Sequence, residues 1–104
     1  MDNIQNSFLH CLRYGVYKNY GALLENLGAF EDAVDYYLLA TQIDSSDPSL
    51  WIKLGSISRK IKDISTACFA FENGLQASQS TLAMVKCLKS LSEVRIHIDM
   101  RTFN

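Results

Sequence analysis

The chain has 104 residues, 48% hydrophobic and 20% charged, a balance typical of one soluble globular domain rather than of a disordered segment. Its formal net charge of -1 predicts no general attraction to nucleic acid or to an anionic membrane surface. Residues 1–48 carry seven acidic and two basic side chains, whereas residues 49–104 carry four acidic and eight basic ones. This uneven distribution fits either attraction between adjoining units or a directional binding surface.

Five helices are predicted in chain order, at about 5–27, 31–43, 48–61, 64–77 and 80–98. Gly28 ends the first helix. Asp47 and Pro48 open the third, because proline is tolerated in a first turn, where its missing N–H has no intrahelical partner. Residues 63–66 stand where a tight turn that contains glycine is usual, so no glycine marks the corner between the third and fourth helices. From Val94 onward apolar and polar residues alternate, so the final stretch is either a frayed helix or extended.

The first two helix pairs repeat each other with a period of 34 residues. Six pairs of similar residues lie 34 positions apart: Tyr17 with Trp51, Tyr20 with Leu54, Gly21 with Gly55, Ala33 with Ala67, Tyr37 with Phe71, and Ala40 with Gly74. In each pair of helices, large groups of the first helix face the second, and a glycine lets the two approach. The second helix of each pair carries an aromatic residue between two small residues, so the two pairs match there as well. We predict these twelve residues to be the repeat core.

Such a period is typical of tetratricopeptide-type helical hairpins. The predicted fold is all-α, a right-handed solenoid of about two and a half repeats. It forms one domain, 1–104, with repeat one at about 14–47, repeat two at about 48–81 and a capping helix at about 82–98. The third repeat is incomplete, because Lys89 stands where glycine is expected and the given sequence ends before a second helix. Since a stable solenoid needs about three repeats, a remnant without an independent role remains an alternative.

Five segments between about residues 12 and 92 have distinctive sequences. They are Leu12-Arg13-Tyr14 before Lys18-Asn19, Tyr36-Tyr37-Leu38 followed by Ala40, Ile43-Asp44-Ser45 with Asp47, Leu50-Trp51 with Lys53, and Ala70-Phe71-Glu72 with Gly74-Leu75. They resemble the early tetratricopeptide region of the cabin family. This family comprises calcineurin-binding protein cabin and its fungal counterpart, the third histone-transcription-regulator subunit.

The resemblance implies a scaffold subunit of an HIR-type histone chaperone complex, a nuclear assembly that deposits histones independently of DNA replication. Its partners would be other subunits of that complex, without direct contact to nucleic acid. Because family members are far longer than 104 residues, the resemblance also implies a fragment, a truncated product or a reduced paralogue. Functions housed elsewhere in the family, including calcineurin binding, are not implied. The expected location is the nucleus, with the cytoplasm as the alternative.

The sequence contains no convergent catalytic or metal-binding group, so we expect no enzyme activity, no metal and no cofactor. His10 and Cys11 are neighbours, but successive helical residues do not face each other, which favours a packed thiol beside an exposed imidazole. Cys68 is expected to be buried and inert, and His97 is isolated. The aromatic residues are spaced as a hairpin core rather than as a platform for stacked bases.

The cysteines point to a reducing compartment. The three cysteines are widely spaced and form no CxxC pair, so neither a disulfide framework nor a zinc site is indicated. The N-terminal segment starts with an acidic residue and lacks a long apolar core, which argues against a signal peptide. No segment approaches the roughly 18 apolar residues that cross a bilayer. We therefore expect the cytosol or the nucleus, and no membrane partner.

The first helices of tetratricopeptide hairpins line a concave face, so their residues pointing away from the partner helix predict a peptide groove. The candidates are Lys18, Asn19, Lys53, Ser56, Arg59 and Lys86. With Glu25 and Glu93 on the same face, four bases meet two acids and the groove is mildly basic. Because like charges across an interface are unfavourable, it suits an acidic or mixed segment of a fellow subunit better than a basic histone tail.

A generic adaptor or co-chaperone that binds an acidic peptide is the competing prediction. Its carboxylate clamp resembles Lys-xxx-Asn on one first helix and a further Asn on the next. Here Ala22 follows Lys18 by four residues, and Lys53 occupies the second Asn position. The clamp is therefore incomplete at two positions.

Overall fold

The computed structural model describes residues 2–78 and 80–102, and this part of the chain is helical without strands. The helices are α1 (Asp2–Asn26), α2 (Phe30–Ile43), α3 (Pro48–Lys60), α4 (Ile64–Ala77) and α5 (Thr81–Thr102). The prediction of an all-α chain is confirmed. The helices form two compact units: α1 and α2 belong to unit 1, Met1–Ser45, and the other three belong to unit 2, Ser46–Asn104.

The turn between α1 and α2 depends on Gly28. The N–H of Gly28 donates to the Glu25 carbonyl at 3.0 Å, and the N–H of Ala29 donates to the Leu24 carbonyl at 2.9 Å. This pair of bonds is a Schellman motif, which requires a left-handed residue after the helix. Gly28 supplies it with a φ of 80°. The prediction that Gly28 ends the first helix is confirmed.

The turn between α3 and α4 has the same pattern without glycine. The N–H of Lys62 donates to the Arg59 carbonyl at 3.0 Å, and the N–H of Asp63 donates to the Ser58 carbonyl at 2.9 Å. Lys62 has a φ of 65° and lies 34 residues after Gly28, so the repeat extends to the turn. A left-handed conformation costs a non-glycine residue about 1–2 kcal/mol. The corner is therefore regular in shape but strained at Lys62.

Asp63 offsets this strain by capping α4. Its carboxylate accepts the N–H of Thr66 at 3.2 Å and the hydroxyl of Thr66 at 2.6 Å. The equivalent residue in unit 1, Ala29, provides no side-chain cap. An aspartate N-cap is worth about 1 kcal/mol, which is comparable with the cost at Lys62. Unit 2 thus forms the same turn without glycine, because the cap at Asp63 offsets the backbone strain at Lys62.

Replacing Asp63 with alanine is expected to destabilise unit 2 by about 1 kcal/mol, because the first-turn N–H of Thr66 loses its acceptor. Urea unfolding followed by the fluorescence of Trp51 measures this effect, since Trp51 is the single tryptophan and is buried in unit 2. Asp35→Ala, which removes an exposed carboxylate from the surface of α2, serves as the control and should change stability by less than about 0.5 kcal/mol. Equal effects of the two substitutions would contradict the capping role.

The start of α3 and the end of α5 show one expected and one unexpected boundary. Asp47 caps α3 by accepting the N–H of Ser49 at 3.0 Å, and Pro48 occupies the first turn, as predicted. The alternating stretch after Val94 is helical up to Thr102 rather than extended. Val94 is 1% exposed whereas Ile96 is 58% exposed, so burial of one side of the helix overrides the period-two pattern.

Unit 1 is centred on Tyr37. Ala33, Tyr37 and Ala40 of α2 are fully buried, and a methyl group on Gly21 would lie 2.8 Å from two carbons of the Tyr37 ring. Gly21 therefore permits the close approach of α1 and α2 that the sequence predicts. The Tyr37 hydroxyl donates to Glu25 Oε1 at 2.9 Å. Burial, together with this hydrogen bond, raises the pKa of the hydroxyl above its ordinary value.

Tyr20 does not belong to the core, so the prediction is wrong at this position. Its side chain is 44% exposed, although its ring lies edge-on against Tyr36 with 4.6 Å between centroids. Gly21, one residue further along the helix, faces α2 instead. Among the described residues of unit 1, α2 is the helix that packs against α1, and Tyr20 lies outside their interface. Tyr17 is half-buried, its ring 6.1 Å from that of Tyr36.

Unit 2 has a core formed by all three of its helices. Ala67, Phe71 and Val94 form a buried cluster, and a methyl group on Gly55 would lie 2.6 Å from the Phe71 ring. The partly buried residues that surround the cluster are Ile52, Ile64, Cys68 and Leu91. Over both units, the predicted core residues that are buried are Gly21, Ala33, Tyr37, Ala40, Trp51, Leu54, Gly55, Ala67, Phe71 and Gly74.

Helices α3 and α5 run in the same direction. A methyl group on Gly74 of α4 would lie 3.0 Å from Cys87 Sγ and 3.1 Å from Trp51 Cβ, which brings α3 and α5 together at this point. Further along both helices, Arg59 Nη1 lies 3.1 Å from Glu93 Oε2. The second meeting point follows the first in both helices, so the two are parallel and α4 packs against both of them.

Candidate functional site

Two of the predicted groove residues, Lys18 and Asn19, lie on α1 in unit 1. Lys18 Nζ lies 5.8 Å from the centre of the Tyr14 ring, within reach of a cation–π interaction, and Asn19 is exposed. Glu25, two turns after Lys18, accepts the hydroxyl of Tyr37. Its carboxylate therefore links α1 to α2 in addition to contributing a negative charge to the surface.

The other four groove residues lie on parallel helices of unit 2. Lys53, Ser56 and Arg59 are exposed at successive turns of α3, and Lys86 is exposed on α5, two turns before Glu93. The contact between Arg59 and Glu93 joins the two helices at this point. Lys53, six residues before Arg59, lies about 120° around α3 from it. We call the set Lys53, Ser56, Arg59, Lys86 and Glu93 the basic strip.

The ion pair reduces the positive charge that the strip offers to a partner. The side chains of Arg59 and Glu93 are 42% and 45% exposed, so their pairing contributes at most about 1 kcal/mol. Sequence reasoning missed the pair, although a signal was present: Glu25, Arg59 and Glu93 follow one another at intervals of 34 residues with alternating charge. The strip remains basic, because three bases meet one acid.

A hollow of about 330 Å³ lies on unit 2 between α4 and α5. Its walls are formed by Cys68, Glu72, Leu88, Leu91, Ser92, Arg95 and Ile98. Cys68 was predicted to be buried, but it is half-buried and borders this hollow. The lining is mixed, with one carboxylate, one guanidinium and several aliphatic groups.

The remaining chemistry-bearing residues do not converge. Cys11 was predicted to be packed, but it is exposed, and with His10 it borders a hollow of about 310 Å³ in unit 1. Cys87 is buried, which raises the pKa of its thiol, while a hydrogen bond with Ser78 opposes the shift. The side chain of His97 lies outside the described residues. Within residues 2–78 and 80–102, no group of three or more metal-ligating side chains is present.

Among the described helices, none combines the length and apolar character needed to cross a membrane. Comparison with known proteins places the chain in a family. A family model described as the CABIN1 N-terminal domain matches residues 1–102. The chain is also 34% identical over 95 residues to calcineurin-binding protein 1 of Arabidopsis thaliana, an alignment that covers 89% of the chain and 5% of that relative. The chain thus spans about 5% of the length of that relative, and it belongs to the CABIN1 N-terminal domain family.

Proposed function

We propose that the chain is a protein-binding scaffold segment and that its five helices form about two and a half repeats of a right-handed tetratricopeptide-type solenoid. The repeat supports the solenoid, because the 34-residue relation holds at the turn residues Gly28 and Lys62 as well as in the cores. The parallel course of α3 and α5 fits the same arrangement. Membership of the CABIN1 N-terminal domain family is the observation that carries the protein-binding role.

The finer proposal is that the segment scaffolds an HIR-type histone chaperone complex in the nucleus during replication-independent nucleosome assembly. Its partner is an acidic or mixed-charge segment of a fellow subunit rather than a histone tail. The basic strip supports this choice, because Lys53, Arg59 and Lys86 would repel a basic tail. The proposal assigns no catalytic step, metal or cofactor to the chain.

A pull-down from nuclear extract with the tagged chain tests this proposal. Recovery of chaperone subunits identified by mass spectrometry is expected, together with nuclear location of a fluorescent fusion. Purified histones H3–H4 provide the opposing test. Tight direct binding of H3–H4 without any chaperone subunit would contradict the proposed partner. Calcineurin, which the name of the Arabidopsis relative includes, is a further bait for the same pull-down.

Reversing one charge of the basic strip is expected to lower the affinity of the chain for the captured acidic segment about tenfold. This corresponds to a loss of roughly 1.4 kcal/mol of binding free energy. The variant is Lys86→Glu, and the matched control is Arg95→Glu. Arg95 lies nine residues further along α5, which is two and a half turns and therefore the opposite side of the helix. Titration calorimetry with the recovered segment measures both. Equal weakening by the two variants would mean that only overall charge matters.

The basic strip also supports a second candidate, an adaptor that grips the acidic end of a chaperone. The incomplete clamp at Ala22 and Lys53 weighs against it. Titration with an acidic chaperone tail peptide separates the two functions. Saturable micromolar binding that Glu93→Gln strengthens, by releasing Arg59, is the result expected of the adaptor.

A further inference from the structure

The turn between α3 and α4 differs in charge from the equivalent turn of unit 1. Arg59, Lys60 and Lys62 place three bases within four residues at the end of α3, and we call these three residues the turn patch. The residues 34 positions earlier, 25–28, include one acid and no base. Both turns have the same pattern of backbone hydrogen bonds. The repeat therefore preserves the shape of the turn and reverses its charge.

Lys62 is the member of the turn patch that stability does not explain. Its left-handed backbone, with a φ of 65°, disfavours lysine relative to glycine by a factor of about 5 to 30. A base near the C-terminal end of a helix recovers a factor of about five at most from the helix dipole. The cap at Asp63 offsets the strain, but a glycine at position 62 would leave this cap in place and remove the strain as well. Backbone strain that the fold does not need points to a role for the side chain.

The neighbouring carboxylates do not supply that role. Both carboxylate oxygens of Asp63 are bound to Thr66, one to its N–H and the other to its hydroxyl. Glu93 pairs with Arg59, at 3.1 Å from Nη1. The Lys62 side chain is exposed at the turn. Its ammonium group is therefore placed to meet a carboxylate that comes from another molecule.

The turn patch continues the basic strip along α3. Lys60 follows Lys53 by seven residues, which on a helix is only about 20° around the axis and about 10 Å along it. Both lysines are exposed, and Lys62 lies two residues beyond the end of the helix. Exposed basic side chains thus follow one side of α3 from the strip to the turn.

We infer that Lys62 is a contact residue for the acidic partner segment, which runs along α3 from the basic strip and crosses the turn patch. This inference rests on the proposed function, because it takes the acidic partner from there. Charge complementarity carries it: the pair with Glu93 reduces the charge that Arg59 offers, and Lys62 adds a base at the end of the path. The formal net charge of -1 favours a protein segment over a nucleic acid, which needs a wider basic surface.

Replacing Lys62 with glycine is expected to change binding and stability in opposite directions. The probe is a fluorescein-labelled peptide of ten glutamates, which extends to about 33 Å and so exceeds the length of α3, about 20 Å. Fluorescence anisotropy with the whole chain at about 50 mM NaCl should show an affinity about fivefold lower for Lys62→Gly than for the wild type. Urea unfolding followed by Trp51 fluorescence should show the folded state of the variant favoured about fivefold more, because the strain is gone.

Three matched variants separate charge from backbone strain. Lys62→Arg keeps the charge and the strain, so its affinity and stability should equal those of the wild type. Lys62→Asn should bind as weakly as Lys62→Gly, since asparagine tolerates a left-handed backbone without a charge. Arg95→Gln removes one charge from α5, on the side of the helix opposite Lys86, and should lower the affinity less than about twofold. About 500 mM NaCl should abolish the difference between Lys62→Gly and the wild type.

The outcomes distinguish this inference from the function on which it rests. A wild-type chain that does not bind the glutamate peptide would refute the acidic partner and this inference together. Binding that Lys62→Gly leaves unchanged, or that Arg95→Gln weakens equally, would overturn the role of Lys62 alone. Tighter binding of a duplex DNA than of the peptide would assign the turn patch to nucleic acid and overturn the inference.

Discussion

Replacing Phe71 with alanine is expected to destabilise unit 2 by about 3–5 kcal/mol. The ring is fully buried, and its neighbours Gly55, Ala67 and Ala70 are too small to fill the space that it leaves. Val94 of α5 packs into the same cluster, so the loss extends from the α3–α4 pair to the last helix. Since a small domain is stable by only about 5–15 kcal/mol, the substitution removes much of the stability of unit 2.

The aromatic residues allow this loss to be assigned to one unit. Trp51 reports on unit 2, whereas all five tyrosines lie in unit 1 and dominate its near-ultraviolet circular dichroism. In urea, Phe71→Ala should lower the midpoint of the Trp51 transition much more than that of the tyrosine signal. Phe71→Leu is the graded control and should cost about 1 kcal/mol, since most of the volume is kept. An unchanged Trp51 midpoint in Phe71→Ala would refute the central position of the ring.

Two glycines of the same helix are expected to respond to alanine with opposite signs. Gly21→Ala should destabilise unit 1 by about 1–3 kcal/mol, because the new methyl group would lie 2.8 Å from the Tyr37 ring. The ring cannot retreat easily, since it is buried and its hydroxyl is bound to Glu25. Gly15→Ala should stabilise the unit by up to about 1 kcal/mol, since nothing lies within 4 Å of the added carbon and alanine favours a helix.

Urea unfolding monitored by the tyrosine signal compares the two variants directly. A double variant adds a test of the contact itself. Tyr37→Leu shortens the ring side chain, so Gly21→Ala combined with it should cost less than the sum of the two single changes, with a coupling of about 1 kcal/mol. Additive effects, or a loss of stability in Gly15→Ala, would show that glycine at position 21 is not required by the approach of α2.

Much of the fold could be predicted because its signals are local. Helix formation, the stop at Gly28 and the start at Asp47 and Pro48 depend on neighbouring residues, and the period of 34 revealed which positions share a role. The turn at Lys62 escaped prediction, because a lysine rarely adopts a left-handed backbone unless a cap such as Asp63 offsets the cost. The sequence did not predict that α5 stays helical to its end, because burial of Val94 outweighs the local alternation of apolar and polar residues.

The candidate site was predictable in composition and less so in its contacts. Lys53, Ser56, Arg59 and Lys86 were selected by their side of each helix, and all four are exposed. That Arg59 is held by Glu93 depends on how α3 and α5 lie together, which no short stretch of sequence specifies. The partner of the strip is set by chemistry outside this chain, so the sequence indicates its charge and not its identity.

By itself, the sequence determined five helices, their 34-residue repeat, the family of the chain and the glycines at which helices meet, because these depend on local preference and residue size. The tertiary structure decided which apolar groups are covered. Tyr20 and Leu54 occupy equivalent positions, yet the first is 44% exposed and the second is fully buried. Burial depends on which helices pack against a side chain, and no short stretch of sequence specifies this.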